Sequence, residues 1–161
     1  IPARGLIGLR NRMLTATNGT AIMHHNFYEY EYFRGSIPGR TNGVMVASEP
    51  GQVTAYALNG LADRGEFLVS PGDPVYEGQI VGEHCRDSDL PVNIARAKKM
   101  TNIRAASADK TVVLRPPRLM TLELAMEFID DDELVEITPD AIRLRKRHLK
   151  EADRRRAARK A

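Results

Sequence analysis

The residues with the most chemical capacity are cationic, and they fall in two places. Residues 96–110 carry Lys98, Lys99 and Arg104 beside the neutral donors and acceptors Thr101, Asn102 and Ser107, with the small pair Ala105-Ala106 allowing close approach. That mixture suits recognition of an RNA backbone and its 2′-hydroxyls by shape, more than a sequence code. Residues 141–146 read as a strand, in which Ile142 and Leu144 face one way while Arg143, Arg145 and Arg147 continue the other, setting three guanidinium groups in a row. An ordinary exposed loop and a solvated sheet face are the competing readings of these two stretches.

Other chemistry is thin. No Gly-x-x-x-x-Gly-Lys-Ser/Thr loop is present, which excludes nucleotide binding by that device in this chain. Cys85 has His84 beside it but lacks the spaced Cys and His partners of a zinc site. His24 and His25 are adjacent in an expected strand, so their rings point to opposite faces and do not chelate one ion together. A Cys85–His24 nucleophile pair has nothing in the sequence to position it. The acidic run Asp130-Asp131-Asp132-Glu133 has the residue types for magnesium. It is read equally as a solvated helix end or as the ion-pairing partner of the 143–147 arginines, and no metal site is assigned. No catalytic residue and no cofactor-binding residue is assigned either.

The composition frames these stretches. In 161 residues, 42% are apolar and 28% charged, as in an average globular protein, and the length suffices for one domain or two small ones. No run approaches the ~18 apolar residues of a membrane span. A single cysteine excludes an internal disulfide framework and fits a reducing, cytoplasmic setting. The net charge of +3 conceals blocks. Residues 143–161 hold ten Lys/Arg against two acids, residues 86–118 hold eight against three, and residues 123–140 hold eight acids and no base.

The elements expected to position these groups follow from periodicity. A helix is expected over 5–18, stopped by Asn18-Gly19, then a strand over 20–26. This pair reads as the tail of an α/β sandwich. The aromatic stretch 27–33 (Phe-Tyr-Glu-Tyr-Glu-Tyr-Phe) reads as a half-buried strand or a junction between domains, with base stacking as the less favoured use because its acids repel phosphate. Residues 34–43 are loop chemistry and mark a boundary. Beyond it, strands are expected at 44–47, 67–69, 92–96, 111–115, 134–137 and 141–146. A run of tight turns and short β pieces is expected over 70–83. Helices are expected over 52–63, with Val53, Tyr56, Ala57 and Leu61 inward, and over 121–129, with Leu122, Ala125, Met126 and Ile129 inward. The Gly72-Asp73-x-Val75-x-x-Gly78-Gln79 pattern occurs in small β-barrel carriers, but no lysine stands at a hairpin tip to carry a group. The fold class is therefore α+β, a truncated α/β tail over 1–33 followed by a β-rich mixed domain over 34–149 with a few short helices. A basic helical or disordered tail follows over 150–161.

Several stretches together carry a family likeness. They are Ile1-Pro2-Ala3-Arg4-Gly5-Leu6-Ile7-Gly8-Leu9-Arg10, Ile37-Pro38-Gly39-Arg40, and Tyr76-Glu77-Gly78-Gln79-Ile80-Val81-Gly82-Glu83-His84. Lys98-Lys99-Met100-Thr101-Asn102-Ile103-Arg104-Ala105 and the run from Glu127 to Glu136 complete the set. In this order and spacing the chain resembles the C-terminal part of the BipA/TypA family of translational GTPases. The resemblance implies that the chain is a C-terminal piece of a longer protein. Residues 1–33 would close an elongation-factor-like, ferredoxin-like domain, and the remainder would be the family-specific C-terminal domain. It implies ribosome binding in the factor site, with roles in ribosome assembly and translation under stress. The partners it implies are large-subunit rRNA, the tRNA acceptor end and the upstream domains of the same protein, with no membrane. GTP and magnesium would belong to a GTPase domain elsewhere in the parent, which would be the GTP hydrolase, and this part would hold no cofactor and not be an enzyme. In the family's loop motif, Lys98, Lys99, Thr101, Asn102 and Arg104 are the matching residues. The alternative expectation is a bracing module that positions the upstream domains without touching RNA, with residues 27–33 as its interface.

Overall fold

The computed structural model describes residues 1–33, 35, 39–97 and 114–159. Ala3–Leu6 forms a 3₁₀ turn and α1 spans Leu9–Ala16. Gly8, at φ +71°, separates them. Its left-handed backbone is the conformation glycine adopts without steric penalty, and it divides the single helix expected over 5–18 into two pieces. The expected stop is found, with Asn18 and Gly19 both at positive φ.

The remaining elements are β1 (Val44–Ala47), β2 (Gly51–Gln52), α2 (Ala55–Leu61), β3 (Gly65–Phe67), β4 (Pro74–Val75) and β5 (Gln79–His84). After them come β6 (Leu90–Val92), α3 (Leu122–Phe128), β7 (Glu133–Ile137), β8 (Ile142–Lys146) and α4 (Glu151–Ala158). One six-stranded mixed sheet runs β6-β1-β5-β8-β7, with β3 also paired to β5, and β2 and β4 form a separate two-stranded ribbon. β1 and β6 are parallel, whereas β1–β5, β3–β5, β5–β8 and β7–β8 are antiparallel. The α+β class read from the sequence is the class found.

The sheet is covered on both faces, which explains why β1 is apolar and buried throughout as Val-Met-Val-Ala. On one face Met45, Ala47 and Val81 pack with Ala57 and Leu58 of α2. On the other Val44, Val46, Ile80 and Leu144 pack with Ala125 and Phe128 of α3. Each covering helix starts at a threonine cap. The Thr54 hydroxyl accepts from the Ala57 amide at 3.1 Å, and that of Thr121 accepts from the Leu124 amide at 3.3 Å.

Several expectations are corrected. Residues 20–26 form no strand and pair with none among the described residues, so local pattern without a ladder partner leaves them outside the sheet. The aromatics Phe27, Tyr28, Tyr30, Tyr32 and Phe33 are exposed rather than half-buried. The turn-rich 70–83 stretch contains β5, the strand shared by three neighbours. The strand expected over 92–96 lies at Leu90–Val92, and that over 67–69 at Gly65–Phe67. Residues 111–113 of another expected strand lie outside the described residues, and Leu114 and Arg115 are not in a strand. Tyr56, Leu122 and Met126 point outward, because the short helices seat their Ala57-Leu58 and Ala125-Phe128 sides on the sheet.

Candidate nucleic-acid interface

The hairpin β7–β8 orders the charges of the second cationic stretch. Its turn is closed by the Thr138 amide donating to the Ala141 carbonyl at 2.9 Å and the Ala141 amide donating to the Thr138 hydroxyl at 3.1 Å. Pro139 and Asp140 form the tip, residues whose turn preferences have a physical basis in fixed φ and local side-chain bonding. Antiparallel register then pairs Glu133 with Lys146, Leu134 with Arg145, Val135 with Leu144 and Glu136 with Arg143.

Strand alternation separates the cations. Leu144 and Lys146 turn to the α3 side and are buried. The Lys146 ammonium lies 2.6 Å from Asp89, 3.0 Å from Asp132 and 3.0 Å from Glu133. The Glu133 side chain is fully buried and also receives a two-pronged bond from Arg40, at 2.7 and 3.1 Å. Arg40 in turn donates to the Phe128 and Asn42 carbonyls and lies over the Phe128 ring, 4.4 Å from its centroid. Burial pulls the Lys146 pKa down, but the hydrogen bonds its ammonium donates to the Asp89, Glu133 and Asp132 carboxylates, together with the Glu133 charge, carry it above its ordinary value. Much of the acidic run is thus spent on ion pairing, mainly with Lys146 and Arg40. No group of three or more His, Cys, Asp and Glu among the described residues is placed to hold a metal.

Arg143 and Arg145 lie on the opposite, outer face, half-buried. Arg143 sits across from Glu136, with 3.7 Å between guanidinium and carboxylate. The Tyr76 hydroxyl donates to the same Glu136 carboxylate at 2.5 Å. Burial, and then the Glu136 bond and charge, push that hydroxyl far above the usual tyrosine value, while Arg145 and Arg143 nearby pull the other way. Arg145 is flanked by Leu134 on β7 and Gln79 on β5, and no carboxylate among the described residues pairs with it. Arg147 falls beyond the end of β8 and does not continue the row. It donates to the Asp131 carbonyl at 2.9 Å. Of the three arginines expected in line, two share the outer face. Lys98, Lys99, Thr101, Asn102, Arg104 and Ser107 of the other expected site lie outside the described residues.

The basic tail contains α4. Arg155 pairs with Glu151 within the helix, Arg156 with Asp153 at 3.4 Å, and Arg154 donates to the His148 and Leu149 carbonyls. Cys85 and His24 are both exposed. His84 is buried with Nδ1 2.6 Å from the Ser88 carbonyl, which makes Nδ1 the donor and leaves Nε2 without a partner among the described residues. No helix among the described residues is long and apolar enough to cross a membrane.

Sequence reasoning missed the Arg40–Glu133–Lys146 cluster. The signal was the alternation itself, since Lys146 occupies the same face as Ile142 and Leu144.

Known proteins resemble this sequence over nearly its whole length. The "Large ribosomal subunit assembly factor BipA" of Escherichia coli (strain K12) is 54% identical over 160 residues, covering 99% of this chain and 26% of that protein. The proteins of the same name from Haemophilus influenzae and Bacillus subtilis (strain 168) are 48% and 45% identical over 160 and 161 residues, again over 99% of this chain and 26% of theirs. The chain therefore spans about a quarter of the length of the curated relatives it matches. The sequence model described as "TypA/BipA C-terminal domain" matches residues 42–151, from the residue whose side chain reaches Glu83 through the β7–β8 hairpin to the first residue of α4. Since that match takes in well over half of the chain, the chain belongs to the TypA/BipA C-terminal domain family.

Proposed function

We propose that this chain is the ribosome- and RNA-contacting C-terminal module of a translational GTPase that serves large-subunit assembly. The observation that carries the reading is its identity, over nearly its whole length, to proteins named as large ribosomal subunit assembly factors. The outer-face arginines and the basic composition of residues 98–110 support RNA as the contacted chemistry, since guanidinium and ammonium groups beside neutral donors match phosphates and 2′-hydroxyls. In this reading Lys98, Lys99, Thr101, Asn102, Arg104 and Ser107 reach rRNA or a tRNA acceptor end, and the stretch that holds Arg143, Arg145 and Arg147 supplies a second contact. GTP hydrolysis, with GTP and magnesium, belongs to another domain of the parent protein, and this module acts in the cytoplasm.

A second reading has its own support. Arg12 meets Glu127 at 3.1 Å and Asn11 donates to Glu123 at 3.0 Å, fastening α1 to α3, and the aromatics of residues 27–33 are exposed beside them. A module used for bracing would put such surfaces against other domains of its own protein.

Co-sedimentation with purified large ribosomal subunits separates the two. Binding by the wild type that a Lys98→Ala/Lys99→Ala/Arg104→Ala variant loses supports the RNA reading and its loop. Equal binding by both moves the contact away from the loop, and no binding by the wild type favours bracing.

A further inference from the structure

We propose that Arg145 is the phosphate-binding guanidinium of the outer β7–β8 face, and that Glu136, held by Tyr76, withholds its neighbour Arg143 from that contact. The inference rests on the RNA reading above and deepens it by dividing a row of similar residues into unequal roles.

The division follows from register. Arg143 has Glu136 directly across the ladder, whereas the residues across from Arg145 are Leu134 on one side and Gln79 on the other. Lys146 is committed to three carboxylates on the buried face, and Arg147 to a main-chain carbonyl. Arg145 is thus the cation of β8 whose charge is not met by a carboxylate among the described residues. Being half-buried between two strands, it has less side-chain freedom to lose on binding than an exposed arginine, and its planar fork fits two phosphate oxygens at once. Tyr76 donates at 2.5 Å to the Glu136 carboxylate that lies 3.7 Å from Arg143 and so holds it in that pairing, whereas no carboxylate among the described residues forms an ion pair with Arg145. A phosphate therefore meets one open guanidinium and one already neutralised. An acidic protein surface is the other ligand such a site could take, and the basic helix α4 that follows in sequence favours nucleic acid.

The test titrates the whole chain against a fluorescein-labelled RNA hairpin between about 50 and 200 mM salt, a range over which phosphate contacts register clearly. Arg145→Ala is expected to weaken binding about tenfold and to lower the salt slope by about one contact. Arg143→Ala is expected to cost much less in the wild type. Glu136→Gln is expected to tighten binding severalfold, and in that background Arg143→Ala is expected to cost about as much as Arg145→Ala. Thermal melting monitored by circular dichroism confirms that each variant folds. Equal losses from Arg143→Ala and Arg145→Ala in the wild type, or no gain from Glu136→Gln, overturns the division of roles. Binding retained in full by Arg145→Ala overturns the assignment while leaving the RNA reading intact. Absence of any binding by the wild type defeats the RNA reading and this inference with it, and tighter binding of a polyglutamate peptide than of RNA reassigns the site to an acidic protein.

Discussion

Lys146 shows how one residue can serve structure where its neighbours face solvent. An isolated buried ammonium is strongly disfavoured, and this one is tolerated because Asp89, Asp132 and Glu133 surround it. Its ionisation is raised in the folded chain, so the stability it contributes is fully present below about pH 10.5, its unfolded value, and is lost as pH rises through the folded value. Urea unfolding followed across the alkaline range is expected to show this loss, and Lys146→Met is expected to flatten it. Glu133→Gln leaves Arg40 and Lys146 without their shared buried charge and is expected to destabilise by about 3–5 kcal/mol in the same assay. The period-2 pattern of β8 was legible in the sequence, and so was an ion-pairing role for the acidic run. The identity of the partner was not, because Arg40 comes from the glycine-rich 34–43 stretch, whose composition reads as a solvated loop. Contacts made across 93 residues of chain leave no local periodicity to read.

At the scale of elements, both covering helices and one of their two caps were legible in the sequence, whereas the Thr54 cap was not. Thr121 was expected to start a helix and does, and Thr121→Ala is expected to cost about 1 kcal/mol in melting experiments through loss of its bond to the Leu124 amide. The direction that the helix faces was less legible. A seven-residue helix presents too few turns to fix its buried side, and Phe128, which the sequence did not single out, is the residue that packs on the sheet and under Arg40. Phe128→Ala is expected to destabilise by about 3–5 kcal/mol, more than any exposed apolar position of α3 such as Leu122. The strand expected over 20–26 has the right alternation yet no ladder, since a strand needs a neighbour that local sequence does not supply. For the candidate site, alternation placed Arg143 and Arg145 together correctly. Their difference in ion pairing came only from the register with β7 and β5.

At the scale of the whole molecule, the hairpin's two faces differ in how their charges are met. Acids and bases of the hairpin neutralise each other inside, at Lys146 and Glu133, while on the outer face no carboxylate among the described residues pairs with Arg145, and the C-terminal helix adds further arginines. The contact between α1 and α3 is made through exposed or partly exposed groups, so Glu127→Ala is expected to change overall stability by no more than about 1 kcal/mol and to be visible chiefly as faster amide exchange in α1. The measurement that tests the central reading most directly is the salt dependence of wild-type co-sedimentation with large ribosomal subunits. Contact through phosphates predicts that the logarithm of affinity falls linearly and steeply with the logarithm of salt concentration. Affinity that stays flat across the same range, or no association at the lowest salt, contradicts it.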